Sequence, residues 1–290
     1  MYQDIDRKVS FFMLLLLLIL FSGLGGCASL VVDPMLISMS RALEQETDIE
    51  LLVDGSPTLL LLINGFIASD PGNSQLLQAG TRAFSAYAIL LDETGEPERA
   101  KLASEKARRY GFALLNRKLK FKETIKQPLS VFKLALSDFG QADAVDLFWA
   151  GQAWALWIKL QGGTPAALVD LPKVEEMMLR VVELDETTYF GSAHLVLGSI
   201  YCSLSPMLGG KPEVGRRHFE QALILGQRQF WPAQVAYAEG YARQTFNREL
   251  FETLLEEVLS QPLVENEIAT ANRLARKKAV ALLAKVEDIF

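Results

Sequence analysis

Residues 181–226 constrain the fold more tightly than any other stretch of the chain. The run Val181 to Glu186 (VVELDE) leads into a helical pattern carrying Leu197, Gly198 and Tyr201. The loop Ser205 to Gly210 (SPMLGG) follows, then a second helical pattern through Gly215, Phe219 and Ala222. Small residues fall where two antiparallel helices would touch, and an aromatic side chain fills the space left between them. A pair of this kind cannot bury its apolar face alone, so further pairs must stack on it. From Gly198 to Gly215 is 17 residues, against about 12 in a plain helix–turn–helix repeat, so about five extra residues lie between the helices. Insertions of that sort map to one face of a stack, often the binding face.

The same spacing returns elsewhere. Phe84, Tyr87, Ala88 and Leu91 precede Ala100, Ser104 and Ala107; Tyr237, Ala238 and Tyr241 precede Leu250, Leu254 and Pro262. Between these, Trp149, Gln152, Ala153 and Leu156 lead to Val174, Met178 and Val181 after an insertion holding Gly162-Gly163 and Pro165. The expected fold is all-α, with four degenerate TPR-like (tetratricopeptide-like) helical hairpins, the middle two with enlarged loops, in a solenoid-like bundle. An irregular helical bundle is the alternative. Strand patterns are scarce, and apolar positions at three- and four-residue spacing predict about twelve helices. Asp33-Pro34, Ser56-Pro57 and Thr164-Pro165 each read as an N-cap followed by proline at the first helical position. Val264 to Phe290 reads as a capping helix whose exposed polar face carries Arg273, Arg276, Lys277 and Lys278. Glu257 stands where such a repeat carries alanine, which predicts loose packing of the last hairpin.

The N-terminus reads as a processing segment. Arg7 and Lys8 form a positive end, Phe11 to Phe21 is an unbroken apolar run, and Leu24-Gly25-Gly26-Cys27 matches a bacterial lipobox. The apolar run has 11 residues, short of the ~20 that span a bilayer. Residues 1–26 are therefore expected to be a lipoprotein signal peptide, and residues 27–290 the mature helical domain. Lipidation of Cys27 would tie the protein to the membrane, since more than one acyl chain gives stable anchoring. A periplasmic location follows, and Ala28-Ser29, without aspartate, favours the outer membrane where lipoproteins are sorted that way. Cys202 is then the one remaining cysteine, expected as a buried small hydrophobe with no disulfide partner. A net charge of −6 excludes the basic surface that nucleic acid requires. The one basic run, residues 116–127 with Lys118, Lys120 and Lys122, suits either a solvated connector or a contact with lipid headgroups.

No catalytic constellation appears. His194 and His218 fall on the two helices of the central hairpin, with no HExxH or cysteine pair to complete a metal site. Gly209-Gly210-Lys211 lacks the remainder of a phosphate loop, and no Gly-x-Ser-x-Gly occurs. Neither enzymatic activity, a metal nor a cofactor is expected. Both histidines read as hydrogen-bonded structural residues, with His194 the one that would reach a ligand. In FWAGQAWALW, three of the four tryptophans, Trp149, Trp154 and Trp157, fall within nine residues. Such rings either fill the core or line an apolar passage in which Gln152 orients a ligand.

Several segments together resemble the TatT family, the T component of TPR-associated TRAP transporters. They are FWAGQAWALW, DLPKVEEMMLRVVELDE, GSAHLVLGSIY, PMLGG, HFEQAL and ARQTFNRELFETLLEEVL, with Asn64-Gly65-Phe66, Leu76-Leu77 and ERAK at Glu98 upstream. The resemblance implies a periplasmic lipoprotein forming a homotrimer around a central pore, with a hydrophobic cleft in each subunit. It also implies a partner, the solute-binding P component, and a small apolar or amphipathic carboxylate ligand passed between the two. Pro206, Met207, Leu208, Gly209 and Gly210 of the inserted loop are the expected partner-facing residues. A lipid-anchored scaffold for envelope assembly, with no small-molecule ligand, is the competing reading of the same fold.

Overall fold

The computed structural model describes residue 38 and residues 42–290, apart from 119, 120, 122 and 163. Cys27, the apolar run before it and Asp33-Pro34 lie outside the described residues. Residues 1–42 and 43–290 form separate units, and all the helices named below belong to the second. They are α1 (Ile49–Ser69), α2 (Ser74–Glu93), α3 (Pro97–Leu115), α4 (Leu129–Leu136), α5 (Ala144–Leu160), α6 (Pro165–Leu168) and α7 (Leu171–Asp185). After these come α8 (Thr188–Tyr201), α9 (Pro212–Leu225), α10 (Pro232–Tyr237), α11 (Arg248–Ser260), α12 (Ala269–Leu283) and α13 (Val286–Ile289). No strand occurs among the described residues, so the all-α expectation holds.

Pro165 does open α6 just after Thr164, although the threonine side chain makes no capping bond. Ser56-Pro57 is different: Pro57 lies inside α1, which starts eight residues earlier at Ile49 and is capped by Asp48. The Asp48 carboxylate accepts from the backbone N–H groups of Glu50 and Leu51, each at 3.0 Å. That cap satisfies the first-turn donors. Leu52, Leu59, Leu60, Ile63 and Ile67 then bury one face on both sides of the proline. Packing thus holds the helix together through a residue that removes one of its hydrogen bonds.

The expected pairs are in contact: α2 with α3, α5 with α7, α8 with α9, and the α10 segment with α11. Close approach is achieved with small residues. A Cβ on Gly198 would lie 2.8 Å from the Phe219 ring, so the aromatic between α8 and α9 seats directly on the glycine. A Cβ on Gly111 of α3 would come within 2.9 Å of the Ala150 backbone in α5. After Tyr237 the chain continues as a π-helical turn, Ala238–Ala242.

Alternate helices form an inner row, since α2 touches α5, α5 touches α8, α8 touches α10 and α10 touches α12. The row closes on itself because α12 also touches α2. Lys278 of α12 makes the closure, with its Nζ 3.1 Å from Glu93 Oε1 and 2.8 Å from Glu239 Oε2. Burial works to lower the Lys278 pKa, but the two carboxylates outweigh it and leave it raised. The C-terminal helix therefore departs from the expected exposed cap. It begins only at Ala269, Lys278 is drawn into the seam, and Arg276 lies 4.7 Å over the Trp231 ring.

Glu257 also departs from expectation. Its carboxylate receives both Arg228 nitrogens, Nε at 2.6 Å and Nη2, and Gln234 and Gln261 donate to it at 3.4 Å. An acidic side chain in place of alanine thus ties three segments together, and this part of the last hairpin is fastened rather than loose.

Candidate functional site

Helix α5 carries four of the five predicted ligand-binding residues, and its turn of about 100° per residue sends them in different directions. Trp154 is fully buried. Its ring meets Phe112 edge-on at 4.7 Å and Phe132 at 6.1 Å, and its indole N–H donates to Asp170 at 3.2 Å. This is a core position between α3, α4 and the start of α7. Trp157 is half-buried beneath Arg108, whose guanidinium carbon stands 3.8 Å from the ring centre. Trp149 faces the inner row. Of the three rings, it alone sits beside the Arg82 and Glu44 ion pair, so the tryptophans do not share a single wall. Gln152 keeps a buried Oε1 that accepts no hydrogen bond.

The surroundings of Trp149 are assembled from distant parts of the chain. Arg82 of α2 lies over its ring at 4.7 Å and is ion-paired with Glu44. The Tyr189 ring meets Trp149 edge-on at 4.7 Å, and Phe148 and Phe230 complete the aromatic group. Tyr189 reaches this place because three successive residues, Tyr189, Phe190 and Gly191, adopt left-handed backbone at φ 45°, 59° and 71°. For the two non-glycine residues this costs ~1–2 kcal/mol each. Gly191 is required here for a second reason, since a Cβ would sit 2.7 Å from Leu225. Burial, with the negative charges of Glu44 and Glu267, pushes the Tyr189 hydroxyl up to about 12. Beside this group, Gln78 donates to Asp146 at 2.7 Å, and burial raises the Asp146 carboxyl above its usual range. Arg82, Glu44 and Tyr189 left no signal in the sequence, because only folding brings residues 44, 82, 149 and 189 together.

His194 and His218 face one another across α8 and α9, with their Nδ1 atoms 2.8 Å apart. One ring donates and the other accepts, so a single proton lies between them. Burial lowers both pKa values, and His194 helps lower that of His218, which falls to about 4. Glu186 lies 3.5 Å from His194 Nε2, opposing the downward shift of His194 without satisfying that nitrogen. The structural reading of the histidines fits this geometry. Among the described residues no group of three His, Cys, Asp or Glu side chains is placed to hold a metal ion. Cys202 is buried, and burial pushes its thiol up to about 11, far from reactive.

The inserted loop is well defined. Pro206–Leu208 forms a 3-10 turn, and Gly209 follows with φ +90°. Gly210 donates to the Ser205 carbonyl at 2.9 Å, and a Cβ on it would fall 1.7 Å from the Leu204 oxygen, so no other residue fits. Gln244 donates to that same Leu204 carbonyl at 2.5 Å, bringing the turn before α11 alongside the loop. Met207, Leu208 and Phe246 are left 96%, 71% and 78% exposed. Phe246 was not anticipated. Its one sequence signal is an aromatic residue directly before the helix cap Asn247. Of the basic run, Lys118 is engaged, donating to Asp143 at 2.5 Å and to the Asp138 carbonyl at 3.0 Å, while Lys120 and Lys122 lie outside the described residues.

The described residues form an all-α stack with an aromatic inner surface, an ion-paired guanidinium and an apolar surface loop. Comparison with curated proteins gives no match. The family model for the TRAP transporter T-component, TAtT, matches residues 45–290, and the chain accordingly belongs to this family of transport accessory proteins.

Proposed function

We propose that the protein is a periplasmic lipoprotein, anchored through Cys27, that binds the solute-binding P component of a TRAP system and helps transfer a small apolar or carboxylate ligand. Family membership across residues 45–290 carries this reading. In it, a TPR-like stack assembles as a homotrimer around a central pore, and the loop Pro206 to Gly210 with Phe246 presents the apolar surface on which the P component docks. The exposure of Met207, Leu208 and Phe246 supports this, because neighbouring apolar side chains held in fixed positions suit a protein partner. Trp149 and Gln152 supply the ligand-facing side. Trp154 and Trp157 contribute by supporting α5 rather than by touching ligand, and His194 holds α8 to α9.

The test is capture of a tagged, lipidated form from crosslinked native cells, with the captured proteins identified by mass spectrometry. Recovery of a TRAP P component, lost on combining Met207→Asp with Phe246→Ser, supports docking at the loop. Recovery solely of outer-membrane or cell-wall assembly proteins refutes the transport role and leaves a scaffold.

A further inference from the structure

We infer that Arg82 and Trp149 form a binding site for the carboxylate of a small amphipathic acid, and that Glu44 fills this site as a built-in substitute until such an acid displaces it. The inference rests on the ligand-carrying role proposed above and names its anionic subsite.

A guanidinium presents a planar fork matched to a carboxylate, and an indole face beneath it favours the cation. Both features are present, with Arg82 4.7 Å over Trp149 and the Tyr189 ring edge-on to the same indole. The carboxylate in place belongs to the chain itself but not to the helical stack. Glu44 lies in a short helical turn ahead of α1, residues 42–45, and the adjoining Leu43 packs against the apolar cluster that includes Leu52, Leu60 and Phe84. Its neighbours are fastened to α12 by the Thr270 hydroxyl, which lies 2.7 Å from the Leu43 carbonyl and 2.6 Å from that of Glu46. A hydroxyl has one proton, so these two contacts amount to one strong bond at a time.

The Arg82 and Glu44 side chains are 33% and 30% exposed. A pair as accessible as this holds with little net free energy, and another carboxylate can exchange for it at small cost. One turn along α5, Gln152 keeps its buried Oε1 without a donor. That acceptor is available to a hydroxyl or amide on a ligand. Displacement would release the strap of residues 43–48 from α2.

Hexanoate is a suitable probe, with hexanol as the uncharged control, and binding to the purified full chain is read by titration calorimetry. Glu44→Gln is expected to tighten hexanoate about fivefold by removing the internal competitor, leaving hexanol unchanged. Arg82→Gln is expected to weaken hexanoate about tenfold or more, again leaving hexanol unchanged. Arg82→Lys keeps the charge but loses the fork, and is expected to fall between. Circular dichroism checks that each variant is folded; if Arg82→Gln is not, Arg82→Lys and Glu44→Gln decide the matter. Unchanged hexanoate affinity in Glu44→Gln, or equal loss of hexanoate and hexanol in the arginine variants, overturns the site. If the unaltered chain captures a P component while the variants show no charge discrimination, this subsite fails and the transport role stands. If capture fails as well, both fall.

Discussion

Replacing Trp154 by alanine separates a core ring from a passage-lining one. The indole is fully buried, touches Phe112 and Phe132 edge-on, and donates to Asp170. Truncation removes the whole ring, leaves a cavity between α3, α4 and the start of α7, and deprives Asp170 of a donor. Large-to-small changes of this kind cost about 3–5 kcal/mol. For a chain of this size that lowers Tm by about 6–10 °C. Trp157 provides the internal comparison. It is half-buried, its main specific partner is the Arg108 guanidinium at 3.8 Å, and its truncation should cost about 2 kcal/mol. Urea unfolding followed by circular dichroism at helical wavelengths gives both values on one scale. A loss below about 1 kcal/mol for Trp154→Ala, or a smaller loss than for Trp157→Ala, would mean that the indole borders an open space, and the core assignment would be wrong.

Three further outcomes are expected. The histidine pair should make stability fall with acid. Both folded pKa values lie below the unfolded value of about 6.5, so the fold favours the neutral rings. That contribution is complete above pH ~6.5 and is lost as pH drops toward the folded value of about 4 for His218. Comparing urea midpoints at pH 7 and pH 5 should show a smaller acid loss in His218→Asn than in the parent, and equal losses would refute the pairing. Gly198→Ala should destabilise by about 1–3 kcal/mol, because its Cβ meets the Phe219 ring, which has no room to retreat between two helices; a neutral result would show that α8 and α9 can separate freely. Lys278→Met should cost about 1–2 kcal/mol, a figure reduced from that of a fully buried pair because the side chain stays 22% exposed. Additional replacement of Glu93 and Glu239 by glutamine should recover part of that loss, and no recovery would indicate that the methylene stem rather than the charge matters.

Much of the fold could be read from local pattern. Gly198 with Phe219, and Ala88 with Ala100 and Ala107, report close helix contact through residue size alone, and size is visible in a sequence. The helix start at Ile49 was missed because Ser56-Pro57 offered an equally good local cap, and burial of the residues on both sides decided between them. Glu257 was misread for a similar reason: an acid at an alanine position looks like a packing fault until Arg228 is folded against it. The site was less legible. Trp149, Trp154 and Trp157 stand close together in the chain, yet helical rotation gives each a different neighbour. Arg82 and Glu44 come together only through tertiary packing, which leaves no periodic or spacing signal behind.

The closure of the inner row through Lys278 bears on how the molecule comes apart. An open repeat array frays from its ends, because each unit is held by its immediate neighbours alone. Here the last inner helix touches the first, so neither end is free to fray independently. Amide exchange in α2 and α12 should therefore slow and quicken together, although nearly two hundred residues separate them in the chain. Growth from a folded nucleus also cannot complete the structure one pair at a time, since the seam between Glu93 and Lys278 seals only after α12 has arrived. That late, long-range contact is the step expected to set the folding rate.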